Sequence, residues 1–224
     1  MRAHEQVIAW VEQELAAGRL RLGDRLPAER ALADQLGLAR TAVREGMRVL
    51  EALGLVQSGV GSGPSAGTVV IARPGEGIGS ALRLHLATDH LGTADVVAAR
   101  ILLEGWVGRS VPADAEELDA VTELLDAMDS DALSVEEFLA LDAELHIRLA
   151  RAAGNPVIAA MMTALREGIR GYTLEHARAL RDWPRVRARL RAEHRAVVER
   201  IRASAPEDAA ALLAAHIDGY YRSA

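Results

Sequence analysis

The sequence predicts a mainly α-helical fold, in which a small winged helix-turn-helix domain precedes an all-helical bundle of six to seven helices. Half of the residues are hydrophobic but only 3% are aromatic, so the core must consist of Leu, Val, Ile and Ala. Periodic, Ala-rich stretches of such residues are typical of helices. A glycine-rich stretch followed by β-branched residues occurs at residues 58–71, and it predicts the one hairpin, the wing.

Residues 23–56 predict two short helices around a turn. The first helix has Leu32, Ala33 and Leu36 on one face, and Gly37 supplies the left-handed residue that ends it. The inward face of the second helix carries four apolar residues: Val43, Met47, Leu50 and Leu53. Its outer face carries side chains that can contact bases or phosphates in a DNA major groove: Arg40, Thr41, Arg44 and Arg48.

This segment resembles the winged helix-turn-helix of GntR family transcriptional regulators, from LPAER at residues 26–30 to GLV at residues 54–56. The resemblance implies double-stranded DNA as a partner and six contact residues: Arg30, Arg40, Thr41, Arg44, Arg48 and, in the wing, Gly61. Ala39 departs from the family pattern, because Ser or Thr there would cap the helix. The wing carries no basic residue, so we expect it to add little electrostatic affinity. The alternative is a surface helical pair in another fold.

The charge distribution separates the two halves of the chain. The net charge is -6, but the first 75 residues carry 9 arginines and 8 acidic residues, against 17 and 24 in the remainder. DNA binding must therefore depend on where a few arginines are placed. The absence of cysteine excludes disulfides and thiolate metal sites. We find neither a signal-peptide pattern nor an apolar run of membrane-spanning length, and we expect a cytoplasmic protein.

Three segments are predicted: a DNA-binding domain at residues 1–72, a linker at 73–78 and a helical domain at 79–224. The linker prediction rests on ARPGEGIG at residues 72–79, whose proline and glycines interrupt any regular pattern. Capping and breaking signals in the second domain predict helices near residues 79–89, 94–110, 113–129, 134–152, 155–180, 184–203 and 206–222.

Polar residues replace apolar ones on three of these helical stripes. Asp142 and His146 lie one turn apart on the inward face of the helix at 134–152, and His194 and His216 lie on the inward stripes of the last two helices. An unpaired ionised carboxylate is costly to bury, whereas one divalent cation would satisfy all four side chains. A single core histidine is usually a hydrogen-bonded structural residue, which is the alternative. The pattern predicts a metal site made by Asp142, His146, His194 and His216.

The helical half also resembles the FCD ligand-binding domain of FadR-type GntR regulators. The motifs that carry this resemblance are Arg100-x-x-x-Glu104, Asp142-x-x-x-His146, Gly154-Asn155, Glu193-His194-Arg195 and His216. It implies an effector-binding and dimerisation domain, with Arg100, Glu104 and Asn155 as effector contacts. Two alternatives remain open, an Arg100–Glu104 ion pair and a helix-cap role for Asn155. The other histidines are predicted to lie at the surface: His4, His85, His90 and His176.

Three imidazoles and a carboxylate leave open positions on zinc, the first choice, or on nickel or manganese. A small carboxylate effector could occupy them. We therefore expect a regulator, most simply a repressor, that binds an inverted-repeat operator as a homodimer, since one recognition helix reads only a few base pairs. A metal-ion sensor is the alternative. A metal-dependent hydrolase is less favoured, because no glutamate general base like that of H-E-x-x-H accompanies the ligands.

Overall fold

The computed structural model describes residues 2–59, 67–88 and 91–222. The chain divides into two compact units, residues 1–78 and 79–224, each with its own apolar core. Helices dominate both units, as predicted, and the described strands form one two-stranded sheet. Within the described residues, we find no helix with both the length and the apolar character needed to span a membrane.

The first unit is a three-helix domain followed by a hairpin. Its elements are α1 (Ala3–Ala16), α2 (Glu29–Leu36), α3 (Arg40–Ala52), β1 (Val56–Gly59) and β2 (Gly67–Val70). The strands are antiparallel, with Val56 opposite Val70 and Gly59 opposite Gly67. Apolar side chains from all three helices and both strands form the core, among them Val7, Leu32, Leu50, Val56 and Val70.

The helix-turn-helix follows the predicted pattern except at one residue. Gly37 ends α2 in the left-handed region with φ 66°, and Val43, Met47 and Leu50 of α3 are buried. Leu53 was predicted to point inward, but 55% of it is exposed. This prediction is wrong because α3 ends at Ala52 and Leu53 is its C-cap residue, so the helical periodicity no longer sets the direction of its side chain.

The described residues of the second unit contain six whole helices and the end of a seventh, α4, which begins in the first unit: α4 (Pro74–Leu86), α5 (Thr93–Ser110), α6 (Glu117–Met128), α7 (Val135–Ala152), α8 (Pro156–Ala179), α9 (Trp183–Arg202) and α10 (Pro206–Tyr221). Side chains begin α7, α8 and α9: Ser134 forms a capping box with Glu137, and Asn155 and Asp182 accept bonds from backbone N–H groups. The boundary between the two units, at residues 78 and 79, falls inside α4, which begins at Pro74.

The prediction that residues 72–79 interrupt any regular pattern is wrong, because α4 begins at Pro74. Proline suits the first turn of a helix, where its missing N–H needs no partner. Gly77 marks a close approach instead of a break, since a Cβ there would lie 2.5 Å from the carbonyl oxygen of Leu53. A helical glycine that only packing requires has the same sequence signature as a flexible one.

In the second unit, several helices pack with one face of each toward a common centre. α5 and α10 pack almost backbone to backbone, since a Cβ on Gly108 would lie 2.8 Å from the Cα of Ala210. Phe138, Leu145 and Leu213 fill the core beside this contact. The inward faces of α5, α7, α9 and α10 thereby meet, and their polar residues are brought together.

Candidate metal centre and nucleic-acid interface

Asp142, His146, His194 and His216 converge in the core of the second unit. One potential ligand atom from each lies within 4.8 Å of the other three, and all four residues are buried. The Nε2 atom of His194 is 3.1 Å from Oδ1 of Asp142 and 3.1 Å from Nε2 of His216. The polar positions on three helical stripes thus meet at one point.

Charged side chains outside this group orient it. Glu193 of α9 accepts a bond from Nδ1 of His216 at 2.8 Å, and Glu104 of α5 faces Nδ1 of His146 at ion-pair range. Carboxylates on Nδ1 fix the ring orientation and leave Nε2 as the free ligand atom. Arg166 of α8 donates from Nη1 to Oδ2 of Asp142 at 2.8 Å, which leaves Oδ1 for the centre.

The electrostatic environment keeps the group in a metal-binding protonation state. Burial, with Arg166 nearby, lowers the pKa of His146 to about 3. Burial and His216 also lower the pKa of His194. Burial alone would raise the pKa of Asp142, but Arg166 and His194 hold that pKa well below its usual value. At neutral pH the centre therefore contains neutral imidazoles on His146 and His194 and an ionised carboxylate.

The residues fit a divalent ion. Nε2 of His146 and Nδ1 of His194 are buried without hydrogen-bond partners among the described residues, and an ion at the centre would satisfy the first of these. Three nitrogen donors and one carboxylate oxygen suit zinc, nickel or manganese. An ion with five or six ligands would have one or two coordination positions left open by these four residues. The pair of orienting carboxylates is the arrangement expected around metal-binding histidines.

The three predicted effector residues lie in different environments. Arg100 donates from Nε and Nη2 to Oε1 of Glu104, at 3.2 and 2.9 Å, and from Nη1 to the hydroxyl of Tyr221 at 3.0 Å. Glu104 therefore links Arg100 to His146 and is almost fully buried. The ion-pair alternative for Arg100 is thus present in the structure.

Asn155 acts as the N-cap of α8. Its side-chain oxygen accepts bonds from the N–H groups of Val157 and Ile158, at 3.0 and 3.3 Å. Asn155 is not among the residues that line the cavities beside the metal centre. The structure therefore supports the helix-cap alternative and gives no contact that would support the effector role.

Two cavities adjoin the candidate metal centre. The larger one, of about 260 Å³, lies against α5, α7 and α8 and reaches Arg100, Asp142, Arg166 and Thr173. The smaller one, of about 20 Å³, reaches Arg100, Asp142 and Arg166 from the side of His216 and Tyr220. A ligand in the larger cavity would touch the carboxylate of Asp142, which belongs to the group of four metal-type side chains.

The sequence analysis did not identify three residues that contact the candidate metal centre or the arginine beside it: Arg166, Glu193 and Tyr221. Arg166 had a usable signal, because it lies between Leu165 and Ile169 on the buried stripe of α8, just as Asp142 interrupts the stripe of α7. Glu193 was noted only as part of a motif. Tyr221 looks like an ordinary aromatic residue near the end of a helix, and only the fold brings its hydroxyl to Arg100.

The surface prediction for His176 is wrong. His176 is buried, its Nε2 lies 3.0 Å from the carbonyl oxygen of Tyr220, and the two rings are 5.0 Å apart. It continues the stripe of Ile169 along α8, and Tyr220 near the end of α10 packs against it. Among the other histidines, His85 is exposed and His4 is half-buried beside Glu45. His90 lies outside the described residues.

The predicted DNA contacts that the structure describes in the first unit are all exposed, one of them on α2 and the others on α3. The side chains concerned are Arg30, Arg40, Thr41, Arg44 and Arg48. Arg44 donates from Nε and Nη2 to Oε2 of Glu29, both at 3.2 Å, a contact that sequence reasoning missed. Ala39 gives α3 no side-chain cap. Gly61 and the rest of the wing tip, residues 60–66, lie outside the described residues.

Comparison with protein families matches both units. Residues 95–219 match the model of the FCD domain, and residues 3–64 match that of bacterial regulatory proteins, gntR family. A transcriptional regulator of Bacillus subtilis, YcbG, is 31% identical over 163 residues, which cover 72% of this chain and 66% of that protein. The Glc operon transcriptional activator of Escherichia coli is 28% identical over 169 residues, covering 72% and 65%. The chain thus spans slightly less than two thirds of these two relatives.

A longer match and a solved structure extend the comparison. The transcriptional repressor NanR of Cronobacter sakazakii is 27% identical over 230 residues, which cover 97% of this chain and 83% of that protein. The fold is similar to that of a GntR protein of Streptococcus agalactiae, with a TM-score of 0.70 at 24% identity, covering 99% of this chain and all of that one. The matched families and these relatives are regulatory proteins rather than enzymes, as the sequence analysis predicted.

Proposed function

Because this chain belongs to the GntR family of bacterial regulatory proteins and carries an FCD domain, we propose that it is a DNA-binding repressor controlled by a small carboxylate effector. The effector binds in the second unit beside a divalent ion, for which zinc is the first choice. One observation carries this proposal: Asp142 belongs both to the group of four converging metal-type ligands and to the wall of a cavity. Metal and ligand would thus share one residue.

The DNA-binding half of the proposal rests on exposure and charge. Four arginines and Thr41 are exposed, one arginine on α2 and the others on α3, and exposed side chains of this kind can reach base edges and phosphates. A single such helix covers only a few base pairs, so a homodimer on an inverted repeat would supply the specificity. The similarity to a named repressor, over 97% of this chain and 83% of that protein, supports repression.

The chain's own residues have distinct roles in the sensing half. Asp142, His146, His194 and His216 would hold the ion, Glu104 and Glu193 would orient two of the rings, and Arg166 keeps Asp142 ionised. The bound ion would supply Lewis-acid positions for carboxylate oxygens. Burial of the whole group excludes bulk water, which strengthens each of these electrostatic contacts.

The test is a titration of operator DNA by fluorescence anisotropy at fixed salt. The operator is first obtained by selection from random duplexes. Metal-free protein, zinc-loaded protein, and zinc-loaded protein with each of a panel of carboxylates are compared. We expect one of the acids to weaken operator binding about 5- to 150-fold, and the operator to weaken binding of that acid by the same factor.

Two results would contradict this proposal. If zinc alone switches operator affinity and no acid changes it further, the protein is a metal-ion sensor. If an acid binds equally well to zinc-free protein, the metal is structural and takes no part in sensing. An Arg40→Ala, Arg44→Ala double variant is the control, because it should lose operator affinity and still bind the acid.

A further inference from the structure

The last turn of α10 forms one wall beside the candidate metal centre. The larger cavity reaches Asp142, but none of the three histidines is among the described residues that line it. The smaller cavity reaches His216, and Tyr220 and Tyr221 belong to its wall. Its volume of about 20 Å³ has room for about one water molecule. A divalent ion with its hydration water is larger, so part of the wall must move when an ion enters or leaves.

This turn is attached to α5 and α8 by hydrogen bonds. The hydroxyl of Tyr220 donates to the carbonyl oxygen of Thr173 at 3.0 Å, and the carbonyl oxygen of Tyr220 lies 3.0 Å from Nε2 of His176. The hydroxyl of Tyr221 accepts from Nη1 of Arg100 at 3.0 Å and lies 3.1 Å from Oγ1 of Thr173. Each of these bonds can be exchanged for a bond to water at a modest net cost.

The first half of α10 is held in a different way. A Cβ on Gly108 of α5 would lie 2.8 Å from the Cα of Ala210, so the two backbones are in close contact. Ala209 and Leu213 are buried in the same region. Moving this half would open a cavity in the apolar core, which is costly. A movement of α10 that widens the smaller cavity is therefore confined to its last turn.

Gly219 lies inside this turn, between His216 and Tyr220. A Cβ at Gly219 would meet no heavy atom of the described residues within 4 Å, and its φ is not in the left-handed region. Neither packing nor backbone conformation therefore requires glycine here, although glycine makes a helix less stable than alanine does. Its carbonyl oxygen accepts a bond from the exposed Arg189 at 3.4 Å, which is long. This turn is thus easier to unwind than the rest of α10.

We propose that residues 219–221 form a strap, which unwinds at Gly219 so that a divalent ion can reach or leave the candidate metal centre. Opening the strap removes Tyr220 and Tyr221 from the wall of the smaller cavity. Because the ring of Tyr220 is buried when the strap is closed, the open state is a minor one and the ion exchanges slowly. This inference rests on metal binding, one part of the function proposed above, and adds a route for the ion.

Two substitutions should shift the rates of zinc exchange in opposite directions. Gly219→Ala stabilises the helical turn without a clash, so zinc uptake and release should both slow about two- to fivefold. Tyr220→Phe removes the hydroxyl that bonds Thr173 and keeps the ring, so both rates should rise about two- to fivefold. The dissociation constant for zinc should change less than about twofold in either variant, because the closed strap dominates in each.

Stopped-flow mixing measures both rates on the full chain. A chromophoric chelator removes zinc from loaded protein, at concentrations where the rate no longer depends on the chelator, and metal-free protein takes zinc from the same chelator. Gly171→Ala is the matched control, since a Cβ there also meets no heavy atom of the described residues within 4 Å, and Gly171 lies in the interior of α8. It should leave both rates as they are in the wild type.

Hydrogen–deuterium exchange follows the strap without any metal. In metal-free protein, the amides of residues 219–222 should exchange faster than those of residues 210–216. Gly219→Ala should slow the exchange of the first group about two- to fivefold and leave the second unchanged.

The outcomes separate this inference from the broader proposal. Unchanged zinc rates in Gly219→Ala, or a strap that exchanges hydrogen as slowly as residues 210–216, would overturn the inference and leave metal binding intact. If Gly171→Ala slows zinc exchange as much as Gly219→Ala, the effect reflects general helix stability and the strap is also wrong. If the wild-type protein binds no zinc, the metal-binding part of the proposed function fails and this inference fails with it.

Discussion

At the scale of single residues, polar side chains on apolar stripes carried most of the information about the candidate metal centre. Asp142, His146, His194 and His216 could be singled out from the sequence because each interrupts a helical row of buried apolar residues. That they meet within 4.8 Å is a result of the fold. Their role as ligands stays a prediction, which metal analysis can test directly.

His194→Ala should remove most of the bound metal. His194 is fully buried and lies 3.1 Å from both Asp142 and His216, so its loss leaves at most three protein ligands. Protein expressed without a chelator or a metal-affinity tag is analysed by inductively coupled plasma mass spectrometry, and we expect about one zinc per wild-type chain. His85→Ala, at an exposed histidine, is the matched control. If His194→Ala keeps its full complement of metal, the prediction is wrong and these histidines are structural residues of the core.

The residues that sequence reasoning missed act through long-range partners. Arg166 pairs with Asp142, 24 positions away, and Tyr221 receives a bond from Arg100, 121 positions away. Periodicity within one helix can show that a polar side chain is buried. It cannot show which helix supplies the partner, because that depends on how the helices pack.

At the scale of elements, boundaries and types were largely predictable, and exceptions occurred where backbone packing decided. Gly37 ends α2, and Ser134 with Glu137 begins α7, as their local chemistry predicts. Residues 74–78 of the predicted linker form the start of α4. Glycine occurs at position 77 because the backbone of Leu53 approaches too closely for a side chain, and not because the helix is interrupted there. Leu53 itself lies one residue past the end of α3, where a pattern of apolar spacing no longer applies.

The recognition helix α3 gives the second prediction. Glu29 holds the guanidinium of Arg44 by two bonds at 3.2 Å, and this pair links α2 to α3. We expect Glu29→Gln to leave Arg44 free to contact phosphates at any sequence. Nonspecific DNA affinity should therefore rise several-fold, with a steeper salt dependence, while specific affinity changes little or falls.

Anisotropy titrations of specific and random duplexes at several salt concentrations measure both effects. Arg44→Ala is the companion variant and should cost about 1–3 kcal/mol of specific binding if Arg44 reads a base. Glu51→Gln is a matched control on the same helix, because Glu51 bonds the backbone of Ser58 and pairs with no arginine of this surface. An unchanged ratio of specific to nonspecific affinity in Glu29→Gln would show that the ion pair has no part in selectivity.

At the scale of the whole molecule, the buried charged group makes folding sensitive to acid. The pKa of His146 lies near 3 in the folded protein, against 6.5 for a free side chain, and the pKa of His194 is also lowered. Between these values the unfolded chain binds protons that the folded chain does not, so stability falls as pH falls below about 6.5. The lowered pKa values of Asp142 and Glu104 act in the same direction at lower pH.

Metal-free protein should therefore lose stability on the order of a few kcal/mol between pH 7 and pH 4.5. Urea denaturation followed by circular dichroism at 222 nm measures this loss. His146→Gln removes one of the two histidines whose pKa is lowered, so the variant, though less stable at pH 7, should show a shallower decline. The stability of His85→Ala should decline like that of the wild type, since His85 is exposed.

With zinc bound, the decline in stability should be steeper, because protons must then also displace the ion from its imidazole ligands. A free energy of unfolding that stays constant from pH 7 to pH 5 in metal-free wild-type protein would mean that His146 and His194 are solvated and can be protonated in the folded state.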